Sequence, residues 1–191
     1  MRKITKIISS FAALSILLTA GAMSASADVV NSTVSGGALS VTTAAPTLSG
    51  VTLNGTSTQF STGTAASWSI TDARGTGAAW AVSVSATVPT SAAGTTETTA
   101  RTVPVSGLTI TPGTITASGG ADPATGMTAP ALNLSTSSQT LISAAATSKG
   151  NYTLTPAFSL AFPANAFRSN FTTGSSGAQN PYTSTITYTI A

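Results

Sequence analysis

The sequence contains no cysteine and no histidine, and its four acidic residues are Asp28, Asp72, Glu97 and Asp122. Each scarcity removes a class of chemistry. Without cysteine there is no disulfide and no thiol nucleophile, and the Cys/His sets that hold zinc are missing. Without histidine the commonest general base is gone. The carboxyl groups are scattered along the chain, so no neighbouring pair offers the acid and base of a glycosidase. Arg74-Gly75-Thr76-Gly77 lacks the Gly-Lys-Ser/Thr ending of a phosphate loop. Neither an enzyme nor a cofactor is expected. A calcium site on Asp72 or Asp122 remains open as a lesser option, because Ca²⁺ accepts mixed oxygen ligands.

Charge is scarce as well, at 6% of residues, and what there is lies unevenly. Arg2, Lys3 and Lys6 precede a mostly apolar run, Ile7 to Ala22, closed by Ala25-Ser26-Ala27. That is the pattern of a signal peptide over residues 1–27, so export and a mature chain from Asp28 are expected. The apolar run is too short and wrongly flanked for a membrane anchor, and no second one follows, so no membrane span is expected. Neither a lipoprotein cysteine nor a covalent sorting signal is found. Beyond the leader, Arg74, Arg101, Lys149 and Arg168 balance the four acids. The formal charge of +3 therefore belongs to the leader. A neutral domain has no electrostatic footprint for nucleic acid, and near-zero charge favours association with surfaces or with itself.

Glu, Lys and Gln are rare, whereas Ser and Thr are abundant, which biases the chain to strands and turns. The clearest pattern runs from Trp68 to Val88. Trp68 and Ile70 alternate with polar residues before a turn, and Trp80, Val82, Val84 and Val88 do so after it. A period of two points one set of side chains to one face of a sheet. The stretch predicts a β-hairpin, in even register, with both tryptophans on one face. Asp72 is placed to bond a backbone N–H two residues on, Arg74 to pair with Asp72, and Gly75 and Gly77 to supply positive φ. The residues leave two readings open. Asp72, Arg74 and the tryptophans form a recognition patch, or they form a turn and core anchors.

Other strands are predicted over Ala38–Thr43, over Leu48–Leu53 up to the Asn54-Gly55 turn, and from Gln59. Short strands are expected at Leu132–Leu134 and Leu141–Ile142. Val103–Ile110 reads as weak pairing at an edge, because of Pro104. Pro89–Ala100, Pro112–Pro130 and Pro163–Pro181 read as loops. Asn151–Phe162 reads as a strand with a bulge or edge at Pro156, and Tyr182–Ile190 as a final strand. Many short alternating strands predict an all-β fold: a single-domain antiparallel β-sandwich or partly closed barrel, Greek-key-like.

The central stretch, Asp72-Ala73-Arg74-Gly75-Thr76-Gly77 followed by Trp80-Ala81-Val82, resembles the first motif of the WxL domain. Such domains are surface modules of Gram-positive bacteria that attach non-covalently to peptidoglycan. Gly37-Ala38-Leu39-Ser40-Val41, Asn151-Tyr152-Thr153-Leu154 and Phe162-Pro163-Ala164-Asn165-Ala166 continue the resemblance in order. So does Tyr182 to Ile190, where Tyr188-Thr189-Ile190 stands in place of the second Trp-x-Leu. Both copies are degenerate here, in the form aromatic-x-aliphatic. The resemblance covers nearly all of residues 28–191. It implies a secreted, wall-associated protein whose partner is peptidoglycan or another wall glycan. The candidate wall-contact residues are Trp68, Asp72, Arg74, Trp80, Val82, Tyr182, Tyr188 and Ile190, with the alternative that Trp68, Trp80, Tyr182 and Tyr188 all face inward as core. A second reading is a structural subunit that self-associates by strand pairing into a fibre or matrix. Its partners would be copies of itself or other surface proteins.

Overall fold

Burial alternates without a break along Trp80–Ala86, where Trp80, Val82, Val84 and Ala86 are buried and the residues between them are half-exposed. The same alternation repeats in strand after strand of a computed structural model that describes residues 29–191. The expected signal peptide, residues 1–27, lies outside the described residues. Ser35–Ala191 is one compact unit. In the unit that precedes it, the described residues 29–34 are exposed and carry no regular structure.

Fourteen strands are present among the described residues: β1 (Leu39–Thr42), β2 (Gln59–Thr64), β3 (Trp68–Asp72), β4 (Trp80–Ala86), β5 (Thr90–Ser91), β6 (Arg101–Thr102), β7 (Leu108–Thr111), β8 (Thr116–Ser118), β9 (Met127–Thr128), β10 (Leu132–Asn133), β11 (Gln139–Ala144), β12 (Gly150–Leu154), β13 (Ala157–Phe162) and β14 (Ile186–Ile190). They form three four-stranded antiparallel sheets, β1-β3-β12-β8, β10-β7-β13-β2 and β14-β4-β11-β9, with β5 and β6 as a small fourth. The fold is an all-β sandwich and no sheet closes into a barrel. No helix among the described residues is long and apolar enough to cross a membrane.

The expected central hairpin does not form. β3 pairs with β1 and β12, whereas β4 pairs with β11 and β14, so the two strands belong to different sheets. The buried faces are those the alternation predicts: Trp68, Ile70, Trp80, Val82 and Val84 are all core. Periodicity reports which face is buried, not which strand lies alongside. The turn Ala73–Ala79 carries the chain from one layer to the other. Gly75 and Gly77 have φ of 71° and 66°, the left-handed region where a side chain would be strained. Val88 is 40% exposed because the strand ends at Ala86.

The two layers meet through aromatic rings. Tyr188 on β14 meets Trp68 on β3 edge-to-face at 4.7 Å, and Trp80 on β4 lies 6.2 Å from Tyr152 on β12. Such pairs add to the area each ring buries. Each indole N–H is also satisfied: Trp68 donates to the Ala44 carbonyl at 3.1 Å and Trp80 to the Ser148 carbonyl at 3.0 Å.

Pro156 lies between β12 and β13, which sit in different sheets. Opposite it, β2 runs on into β3. Leu154 faces Trp68 and Ala157 faces Thr64, so two residues on one chain oppose three on the other. The one-residue slip is the expected irregularity, and it bends one long ribbon into two sheets. Leu48–Leu53 forms no strand. It is tied to β2 by single bonds, including the Ser49 N–H to the Thr62 carbonyl at 2.9 Å. Pro104 does not make an edge: it precedes a 3-10 turn, Val105–Gly107, and β7 beyond it is an interior strand. The loops expected at Pro89–Ala100 and Pro112–Pro130 contain β5, β8, β9 and a second 3-10 turn, Ala124–Gly126.

Candidate functional site

The residues of the first motif go to the interior. Trp68 and Val82 are fully buried and Trp80 is 3% exposed, so none of them offers a face to a ligand. They correct the idea of a tryptophan patch: the rings fill the space between the layers. Asp72 is also buried. Both of its carboxylate oxygens are taken by Arg74, each at 3.0 Å, and Oδ1 also accepts the Arg74 backbone N–H, the bond expected from the turn. Arg74 in turn donates to the Ala78 carbonyl at 2.9 Å. The Arg74 guanidinium holds the Asp72 carboxyl below its ordinary pKa, with burial opposing. This is a locked corner rather than an open site. Asp122 is engaged similarly, by the Lys149 ammonium at 2.7 Å, which lowers its pKa.

The second motif region lies on a surface groove. One part, about 800 Å³, lies between the chain at Leu48–Leu53 and the loop carrying Phe167, Arg168 and Tyr182. A second part, about 530 Å³, lies between Thr43–Leu48 and the run from Tyr182 to Tyr188. Leu48, Leu160, Pro181 and Tyr182 line both, so the two parts adjoin. Tyr182 and Tyr188, two of the eight candidates, therefore come together in one place. Tyr182 stacks edge-to-face on Phe162 at 5.2 Å and donates its hydroxyl to the Phe167 carbonyl at 2.9 Å. Burial raises the pKa of both phenols, that of Tyr188 the more strongly. Ile190 stands beyond the groove, opposite Val82 on β4.

Two polar residues that the sequence did not single out hold this end together. Ser91 and Asn170 are buried. The Ser91 hydroxyl donates to the Asn180 carbonyl at 2.7 Å and accepts the Asn170 backbone N–H at 2.9 Å. The Asn170 amide donates to the carbonyls of Ala92 and Thr99 at 3.1 and 2.9 Å. Together they lock the Pro163–Pro181 loop to the β5–β6 turn. Glu97 accepts the Phe171 N–H at 2.7 Å and pairs with Arg168, and these two interactions lower its pKa. In so Ser/Thr/Asn-rich a chain no local pattern distinguishes Ser91 or Asn170 from their exposed neighbours.

The chain is thus an all-β sandwich with a groove of mixed polar and apolar character at one end. Comparison with known proteins gave no matching family model, no matching curated protein and no matching solved structure. No group of His, Cys, Asp and Glu side chains that could hold a metal ion occurs among the described residues.

Proposed function

We propose that the protein is exported and attaches reversibly and non-covalently to the Gram-positive wall, with a glycan strand lying in the groove. The observation that carries this is the meeting of Tyr182, Tyr188 and Phe167 along one open channel beside the Leu48–Leu53 segment, which brings the Ser49 and Thr52 hydroxyls to its wall. Sugar rings are gripped by aromatic faces, and hydroxyl and backbone groups supply the polar contacts. The WxL resemblance of the motifs supports the same reading. Binding through shape, hydrogen bonds and apolar contact survives moderate salt, whereas long-range ion pairing is screened within about 8–10 Å. Hydrolysis of the wall is not expected from this set of side chains. Co-sedimentation of residues 28–191 with purified sacculi, at low and moderate salt, is the test. Failure to sediment at low salt would sink the reading.

A second reading has one specific observation in its favour. β14 is an edge strand. Ala81 and Ala191 exchange both backbone bonds, so the N–H and C=O groups of Ile186, Tyr188 and Ile190 point away from β4. Such an edge is a template for strand addition by another copy. Concentration-dependent polymers in the absence of wall would favour it over the first.

A further inference from the structure

Among the described residues, three basic side chains have acidic partners: Arg74 with Asp72, Lys149 with Asp122, and Arg168 with Glu97. The fourth, Arg101, has no carboxylate of a described residue within ion-pair distance and donates no side-chain hydrogen bond to one. Its guanidinium carbon instead lies 3.9 Å from the centre of the Phe167 ring. Phe167 lines the groove and is 58% exposed. A guanidinium that rests on a ring and makes no other bond has N–H groups to offer, in the fork that matches a carboxylate or phosphate.

The arrangement is fixed in advance. Arg101 lies on β6, opposite Ser91 on β5. Ser91 and Asn170 are the buried groups that tie this turn to the Phe167 loop. Arg168, next in sequence to Phe167, lies over the Phe171 ring at 4.4 Å and is paired with Glu97. Among the described residues, two arginines, Arg168 lining the groove and Arg101 beside it, share the field of the single Glu97 carboxylate, so a surplus of one positive charge is left at this end.

We infer that Arg101, held on Phe167, is the subsite for a single anionic group carried by the wall polymer in the groove. This rests on the wall-binding reading and adds the charge of the ligand. Two wall components supply such a group: the carboxylates of peptide-bearing glycan, and the phosphates of wall-linked polyol polymers. Both present oxygens that accept from a guanidinium edge. One contact of this kind at a partly exposed site leaves the salt dependence shallow.

The experiment uses the full chain, expressed in a Gram-positive host and collected from the medium, as wild type, Arg101→Gln and Arg101→Lys. Each is sedimented with three wall preparations: native sacculi, sacculi with carboxyl groups amidated, and sacculi stripped of phosphate polymers with hydrofluoric acid. Arg101→Gln should weaken binding to native sacculi about tenfold at an unchanged thermal midpoint, the scale of one charge-assisted hydrogen bond. Arg101→Lys should recover part of the loss, since it keeps the charge and loses the planar fork. Wild type should lose the same factor on one treated wall, which names the anion, and Arg101→Gln should not respond to that treatment. Wild type that binds all three walls equally, or Arg101→Gln that binds native wall like wild type, overturns the subsite. Wild type that binds no wall at all overturns the wall-binding reading and the subsite with it.

Discussion

Val82 and Ile190 stand directly opposite each other across β4 and β14. The stretches Trp80-Ala81-Val82 and Tyr188-Thr189-Ile190, about a hundred residues apart in sequence, therefore lie on neighbouring strands of one sheet. Their aromatic and aliphatic side chains share its inner face. Tyr188 reaches across to Trp68 and also lines the groove, so the second copy joins core to surface.

The core role of Trp80 has a direct measure. Its ring is 3% exposed and its N–H is bonded. Trp80→Ala should cost about 3–5 kcal/mol of unfolding free energy in a urea titration. A cost under about 1 kcal/mol would place the ring at the surface and return it to the candidate contacts.

Acid should loosen the Asp72 corner. The folded-state pKa of Asp72 lies below its unfolded value, so its stabilising effect is present above about pH 4 and is lost as pH falls through the folded value. Asp72→Asn should remove about 1.5–3 kcal/mol at neutral pH. The gap between variant and wild type should narrow from about pH 4 downward. A gap that stays constant from pH 7 to pH 2 would show that the carboxylate charge is not what holds the turn.

At high pH the sign reverses. Burial raises the folded pKa of Tyr188 above its unfolded value near 10. The unfolded chain therefore ionises first, and stability falls as pH rises above about 10. Tyr188→Phe should flatten that fall, as read by thermal midpoints between pH 9 and 11.

Filling the groove should block it without straining the backbone. Gly50 lines the larger part, a Cβ added there meets nothing within 4 Å, and its φ is not in the left-handed region. Gly50→Tyr should reduce wall binding by at least about tenfold, or 1.4 kcal/mol. The thermal midpoint should shift by no more than about 2 °C. Full binding by this variant would move the wall contact elsewhere on the sandwich.

The degenerate second motif gives a gain-of-function test. Tyr188→Trp with Ile190→Leu should bind sacculi more tightly at a stability cost of no more than about 1–3 kcal/mol, the scale of fitting a larger ring beside Trp68. Unchanged binding would mean that residues 188 and 190 matter for the sheet alone.

What the sequence determined by itself was everything that follows from local period and local chemistry. Alternation assigned Trp68, Ile70, Trp80, Val82, Tyr152, Leu154, Phe158 and Leu160 to buried faces, because successive side chains on a strand point to opposite sides whatever the strand pairs with. Asp72, Arg74, Gly75 and Gly77 specified their turn for the same reason: each acts within a few residues of itself. Only the tertiary structure decided the partners. Backbone donors and acceptors are the same on every strand, so nothing near Trp68 or Trp80 says that β3 pairs with β1 and β12 while β4 pairs with β11 and β14. The groove and the Arg101–Phe167 stack were equally illegible. They join Leu48 to Tyr182 and residue 101 to residue 167, and such distant groups are brought together by the packing of the whole sandwich rather than by any local pattern.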